Sequence, residues 1–99
     1  MITTKQRAYL RSMASTLNAT MQIGKDALKE ESVKQIVDML EARELVKIKV
    51  LKNCEQSARE LADSIQQKIG CEVVQVIGLT IVLYKRSSRK DVKHISLNI

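Results

Sequence analysis

Ninety-nine residues, 44% hydrophobic and 28% charged, suit one folded domain (1–99) with a modest core. No apolar run approaches the roughly 20 residues a membrane helix requires and the N-terminus lacks a signal-peptide core, so the expected location is the cytoplasm. Seventeen lysines and arginines against eleven acids give a net charge of +6, which favours a polyanionic partner over a membrane or a small-molecule substrate.

Thr3-Thr4-Lys5-Gln6 reads as a capping box, and Tyr9, Leu10, Met13, Ala14 and Leu17 follow at helical spacing. A first helix to about Thr16 is expected, with Lys5, Arg7 and Arg11 on its other face. Thr20 to Ile23 is then a short strand ended by Gly24. A second helix starts near Lys29 or Glu30 with acids in its first turn, and Val33, Ile36, Val37 and Leu40 form its core-facing stripe. Leu45 to Leu51 alternates apolar residues with Lys47 and Lys49, the period-two pattern of a strand with one buried face. Asn53-Cys54-Glu55-Gln56 repeats the cap pattern before a third helix lined by Ala58, Leu61, Ala62, Ile65 and Ile69, which stops at Gly70. Glu72–Ile77 and Thr80–Lys85 are strands joined at Gly78-Leu79, a type II′ hairpin. From about residue 87 the chain is basic and serine-containing up to His94, and the alternating Ile95–Ile99 either docks as a short strand or stays mobile. The order implies an α/β, two-layer αβαβαββ domain with a four-stranded mixed sheet.

Charge is concentrated at the ends. Residues 1–25 carry +4 and residues 85–99 carry +4, whereas residues 26–84 sum to −2. Folding that brings the two ends together would build one polyanion-binding face. With no Phe or Trp, and only Tyr9 and Tyr84, base stacking on a sheet of aromatics is excluded, and binding has to act through backbone charge and shape. Tyr84 reads as a packing residue.

Chemistry is hard to build from this chain. The single histidine, His94, and the separated Cys54 and Cys71 do not make a usual four-ligand zinc site, and the cysteines read as reduced packing thiols. Glu30, Glu31, Asp38, Glu41 and Glu44 read as charges on a solvated helix face. No nucleophile elbow or P-loop is present, so the chain is expected to be non-enzymatic and to need no cofactor.

The candidate binding motif is Gly24-Lys25-Asp26-Ala27, a turn from strand to helix that can offer backbone N–H groups and a lysine to a phosphate. Together with Glu44-Leu45-Val46-Lys47, Val76-Ile77-Gly78 and Val82-Leu83-Tyr84-Lys85-Arg86, it resembles the CRM domain, the chloroplast RNA splicing and ribosome maturation module, in its stand-alone bacterial YhbY-like form. The resemblance runs from Thr4-Lys5-Gln6 through His94-Ile95-Ser96-Leu97. It implies a fold similar to the C-terminal domain of bacterial translation initiation factor three. It also implies a GxxG loop like that of KH domains, binding to structured RNA, and association with precursors of the large ribosomal subunit. Plant relatives carry the domain into group II intron splicing. The family loop usually ends in glycine, and this chain has Ala27 there. The expected RNA contacts are Gly24, Lys25, Asp26 and Ala27, flanked by Lys5, Arg7, Arg11, Lys85, Arg86 and Arg89. Lys47 and Lys49 join them if their sheet face is open. A monomer is the default. The rival reading is a protein-interaction module that docks a partner through a sheet edge or the C-terminal segment; DNA binding is weaker, for want of a helix-turn-helix pattern.

Overall fold

A computed structural model describes residues 2–25 and 28–98. Helix α1 (Thr4–Ala14) begins at the expected capping box, in which the Thr3 hydroxyl accepts from Gln6 N and the Gln6 side chain accepts from Thr3 N. It is followed by β1 (Met21–Ile23), α2 (Glu30–Arg43), β2 (Leu45–Val50), α3 (Ala58–Ile69), β3 (Glu72–Ile77) and β4 (Thr80–Tyr84). The sheet order is β1-β2-β4-β3, with β1 parallel to β2 and the other neighbours antiparallel. The αβαβαββ order and the four-stranded mixed sheet are therefore as expected.

The period-two pattern of β2 sorts its side chains. Val46, Ile48 and Val50 face α2 and α3, where Ile36, Leu40, Leu61 and Ile65 meet Ile81 and Leu83 of β4 in the larger core. Each fully buried side chain of this kind stabilises by about 1.5–3 kcal/mol. Leu45, Val82, Val74 and Tyr84 face the other way and pack under Leu10 and Ala14 of α1, with Ile95 and Leu97 of the C-terminal segment against them. α1 and that segment thus add a layer on the face opposite α2 and α3, so the expected two layers become three, because the sheet has an apolar stripe on both faces. A bulge in edge strand β3 serves both cores: the register shifts between Val73 and Gln75, so Val73 joins the larger core while Val74 joins the α1 side.

Two local expectations need correction. α3 is capped by Ser57, not at Asn53: the Ser57 hydroxyl accepts from Glu60 N, and Glu60 accepts from Ser57 N at 3.1 Å. Ser57-x-x-Glu60 also fits the box and stands directly before the first core residue, Ala58, while residues 51–54 turn back over the end of β1 through Leu51 N→Ile23 O and Cys54 N→Leu51 O. Residues Ile95 to Asn98 dock on the α1 side without joining the sheet. The hairpin reads as expected, since Gly78 takes φ +55° and Leu79 does not go positive, the pattern of type II′. Cys71 is buried, and burial pushes its thiol up to about 11; Cys54 is half-buried, and both are free thiols.

Candidate nucleic-acid interface

Gly24 leaves the end of β1 and is half-buried. A Cβ at this position would lie 3.3 Å from Leu51 Cδ1 and 3.5 Å from Asn53 Oδ1, so glycine is favoured by the close approach of the Leu51–Asn53 turn. Its φ is not in the left-handed region, so the demand is for space and not for a special dihedral angle. Lys25 follows in a turn and is exposed. Asp26 and Ala27, including the question of what alanine does in the family's glycine position, lie outside the described residues. Beyond them Lys29 is extended, at φ −106° and ψ 167°, and stands at the N-cap of α2, where its side chain does not cap the helix. Glu30 and Glu31 occupy the first turn of α2, where they already complement its positive end. An anion at this loop is therefore held by backbone groups and lysines more than by the helix dipole.

Lys49 belongs to this end of the sheet. It pairs with Gln22 of β1 and Thr80 of β4, so three polar side chains lie side by side on the α1-side face, where Lys49 is exposed. Lys52, which pattern reading passed over because it breaks the alternation of β2, is exposed in the turn that packs against Gly24. The side chains of Lys25, Lys49 and Lys52 make no hydrogen bond or ion pair with any described residue.

The other candidates are deployed differently. Lys47 is half-buried beneath α1, and its Nζ donates to Ala14 O and Leu17 O, both at 3.2 Å. The face on which it lies is covered, not open, and the ammonium closes the C-terminal end of α1, where carbonyls lack partners and the dipole favours a cation. Lys85 does the same for α3 by donating to Ile69 O at 3.2 Å. The guanidinium of Arg7 donates to Val73 O and ties α1 to edge strand β3. Lys5 and Arg11 remain exposed on α1.

Folding does not bring Lys25 and the C-terminal cations to one place, although the start of α1 lies at their end of the sheet, where Ile2 N donates to Glu72, level with Tyr84. Ile23 is level with Val50, whereas Tyr84 is level with Leu45 at the other end of β2. Five steps of strand separate these levels, about 17 Å at ~3.4 Å per residue. Lys85, Arg86 and Arg89 therefore do not flank the Gly24–Lys25 turn; they lie at the opposite end of the sheet. Arg86 is exposed there, and Arg89 is paired with Asp91 at 3.5 Å.

The opposite end also holds the largest departure from expectation. Glu44 is fully buried, not solvated. It caps α2 at φ 66°, ψ −35°, in the region that favours glycine, and its Oε1 and Oε2 accept from Ile95 N (2.6 Å), Ser87 N (2.8 Å) and His94 Nδ1 (2.5 Å). Burial acts to raise the carboxyl's pKa, but the hydrogen bonds from His94, Ile95 and Ser87 outweigh it and hold the group below its ordinary value. Glu41, one turn earlier, is half-buried; it accepts from both Ser87 and Ser88, and the hydrogen bond from the Ser88 side chain leads in lowering its pKa. The sequence signal for this device is an acid at the position after a helix where glycine is usual, in a chain with one histidine downstream. No group of three or more His, Cys, Asp or Glu among the described residues could hold a metal ion.

The sequence model of the CRS1 / YhbY (CRM) domain matches residues 2–85. The chain is 44% identical over 97 residues to Bacillus subtilis YqeI, named "Probable RNA-binding protein YqeI", covering 98% of this chain and 99% of that protein. It is 28% identical over 92 residues to a Haemophilus influenzae protein named "RNA-binding protein", covering 93% of each. The solution structure of a Staphylococcus aureus protein, described as a candidate RNA binding protein, superimposes with a TM-score of 0.76 at 43% identity, over 96% of this chain and all of that one.

Proposed function

The chain belongs to the CRS1 / YhbY (CRM) domain family, and from that premise we propose that it is a non-catalytic, monomeric, cytoplasmic RNA-binding protein. Its partner is structured RNA, namely ribosomal RNA in precursors of the large ribosomal subunit. The observation that carries the proposal is the Gly24–Lys25 turn, pressed against Leu51 and Asn53, with the exposed Lys25, Lys49 and Lys52 at the same end of the sheet. A phosphate backbone approaching Gly24 would meet the exposed ammonium groups of Lys25, Lys49 and Lys52, none of which is engaged by a described residue. The names of the relatives support RNA as the ligand, and the scarcity of aromatic residues supports recognition of backbone over bases. Lys5 and Arg11 extend the cationic surface along α1. The assignment to large-subunit precursors follows from the likeness to stand-alone bacterial members of the family.

The test is sedimentation of cell extract through a low-salt density gradient, with immunoblotting of each fraction. Comigration with large-subunit precursors that is lost in Lys25→Glu supports the proposal. Retention at the top of the gradient, unaffected by RNase, overturns it and favours a protein-interaction module, for which the exposed Ile77 and Leu79 at the hairpin would be the docking point.

A further inference from the structure

The C-terminal segment leaves β4 at Tyr84, departs from the fold at Ser87 and returns to the same point at His94 and Ile95. Both ends of this excursion are fastened to one buried carboxylate, Glu44, and Glu41 adds a second fixation through Ser87 Oγ, Ser88 N and Ser88 Oγ, each at 2.8 Å. Beyond it, Ile95 and Leu97 pack into the α1-side core and Gln6 Nε2 donates to Leu97 O at 2.8 Å. This is a closed loop and not a trailing end. It starts where the family match stops, at residue 85.

The loop carries Arg86, Arg89, Lys90 and Lys93 against Asp91, and all five are exposed. Charge placed only for solubility needs no fixation. Here a charged group is buried and a non-glycine residue is held at φ 66°, two unfavourable features that persist only where the surroundings over-determine them. Fixing the loop in advance reduces the ordering cost of binding and presents its cations as a set.

We propose that residues 86–93 form a second contact for an RNA phosphate backbone, at the end of the sheet opposite the Gly24–Lys25 turn, with Glu44 as its positioning residue. The inference rests on the RNA-binding reading. It makes the Gly24–Lys25 turn and the C-terminal loop two separate contacts on one RNA, at opposite ends of β2.

The probe is a fluorescein-labelled RNA stem-loop long enough to span both ends of the sheet, titrated by anisotropy over a range of salt. Replacing Arg89, Lys90 and Lys93 together by Gln is expected to lower the slope of log affinity against log salt by about 2 to 2.7, from ~0.7–0.9 per phosphate contact. The thermal midpoint should stay in place, because these side chains are exposed and the anchors are retained. Binding that still depends on Lys25 but shows an unchanged slope in the triple variant overturns the second contact alone. Absence of RNA binding by the unmodified protein overturns the RNA-binding reading itself. For the positioning role, Glu44→Gln, provided it is folded by circular dichroism, should lose slope although no cation has been removed; Glu41→Gln, which loosens the same loop through Ser88, serves where Glu44→Gln does not fold. An unchanged slope in the folded variant overturns the positioning role.

Discussion

Glu44→Gln is the most demanding test of the architecture, because it alters almost no volume and one charge. The carboxylate accepts from Ile95 N on Oε1 and from Ser87 N and His94 Nδ1 on Oε2. A glutamine amide keeps one oxygen acceptor and turns an NH2 group toward at least one donor that was satisfied. Hydrogen bonds to a charged group are each worth about 1.5–3 kcal/mol, and a buried donor left unmet costs a further ~1–3 kcal/mol. Relief from burying a charge offsets part of this. The net expectation is a loss of about 2–4 kcal/mol, a large fraction of the ~5–15 kcal/mol by which a domain is stable. At about 4–8 °C per kcal/mol for a chain of this size, the thermal midpoint should fall by roughly 8–30 °C. His94→Gln, which removes the imidazole donor but leaves Oε2 paired with Ser87 and no buried donor unmet, should cost about 1.5–3 kcal/mol. Urea unfolding followed by circular dichroism measures both variants. A loss below about 1 kcal/mol for Glu44→Gln would refute the reasoning, since it would mean that the C-terminal segment is not held through this carboxylate.

The same contact sets an acid limit. Because the folded Glu44 carboxyl lies below its ordinary 4.5, its contribution is complete above that value and is lost as pH falls through the folded value. Glu41 acts in the same window and with the same sign. The urea midpoint should therefore drop below about pH 4.5, less steeply in Glu44→Gln than in the unmodified protein; parallel curves would contradict the assignment. Lys47→Met should cost about 1 kcal/mol by uncapping α1 while leaving the salt slope of RNA binding in place, and a lowered slope with unchanged stability would return Lys47 to the interface.

Much of the architecture is readable from residue order because it depends on near neighbours. The Thr3–Gln6 capping box, the stripe Val33, Ile36, Val37 and Leu40 (of which Ile36 and Leu40 are buried and Val37 is exposed), the alternation of β2 and the glycines at 70 and 78 all act within a few residues, and each element formed where those signals stand. Where two local signals competed, at Asn53 and Ser57, the one adjoining the first core residue prevailed. The Gly24–Lys25 turn was legible too, although the reason for its glycine, the approach of Leu51 and Asn53, comes from the chain about 30 residues on.

The sequence by itself determined the helices, the strands, the hairpin and the excess of cations at both ends. Only the tertiary structure decided which cations remain available. It folded α1 over the face that bears Lys47, set Lys85 against the last carbonyls of α3, and separated the Gly24–Lys25 turn from the C-terminal cations by the length of β2. It also buried Glu44, whose partners lie 43 to 51 residues away. An ammonium or a carboxylate looks the same in a sequence whether it faces water or a helix end. Its role is fixed by unpaired backbone groups that only packing brings within hydrogen-bond reach.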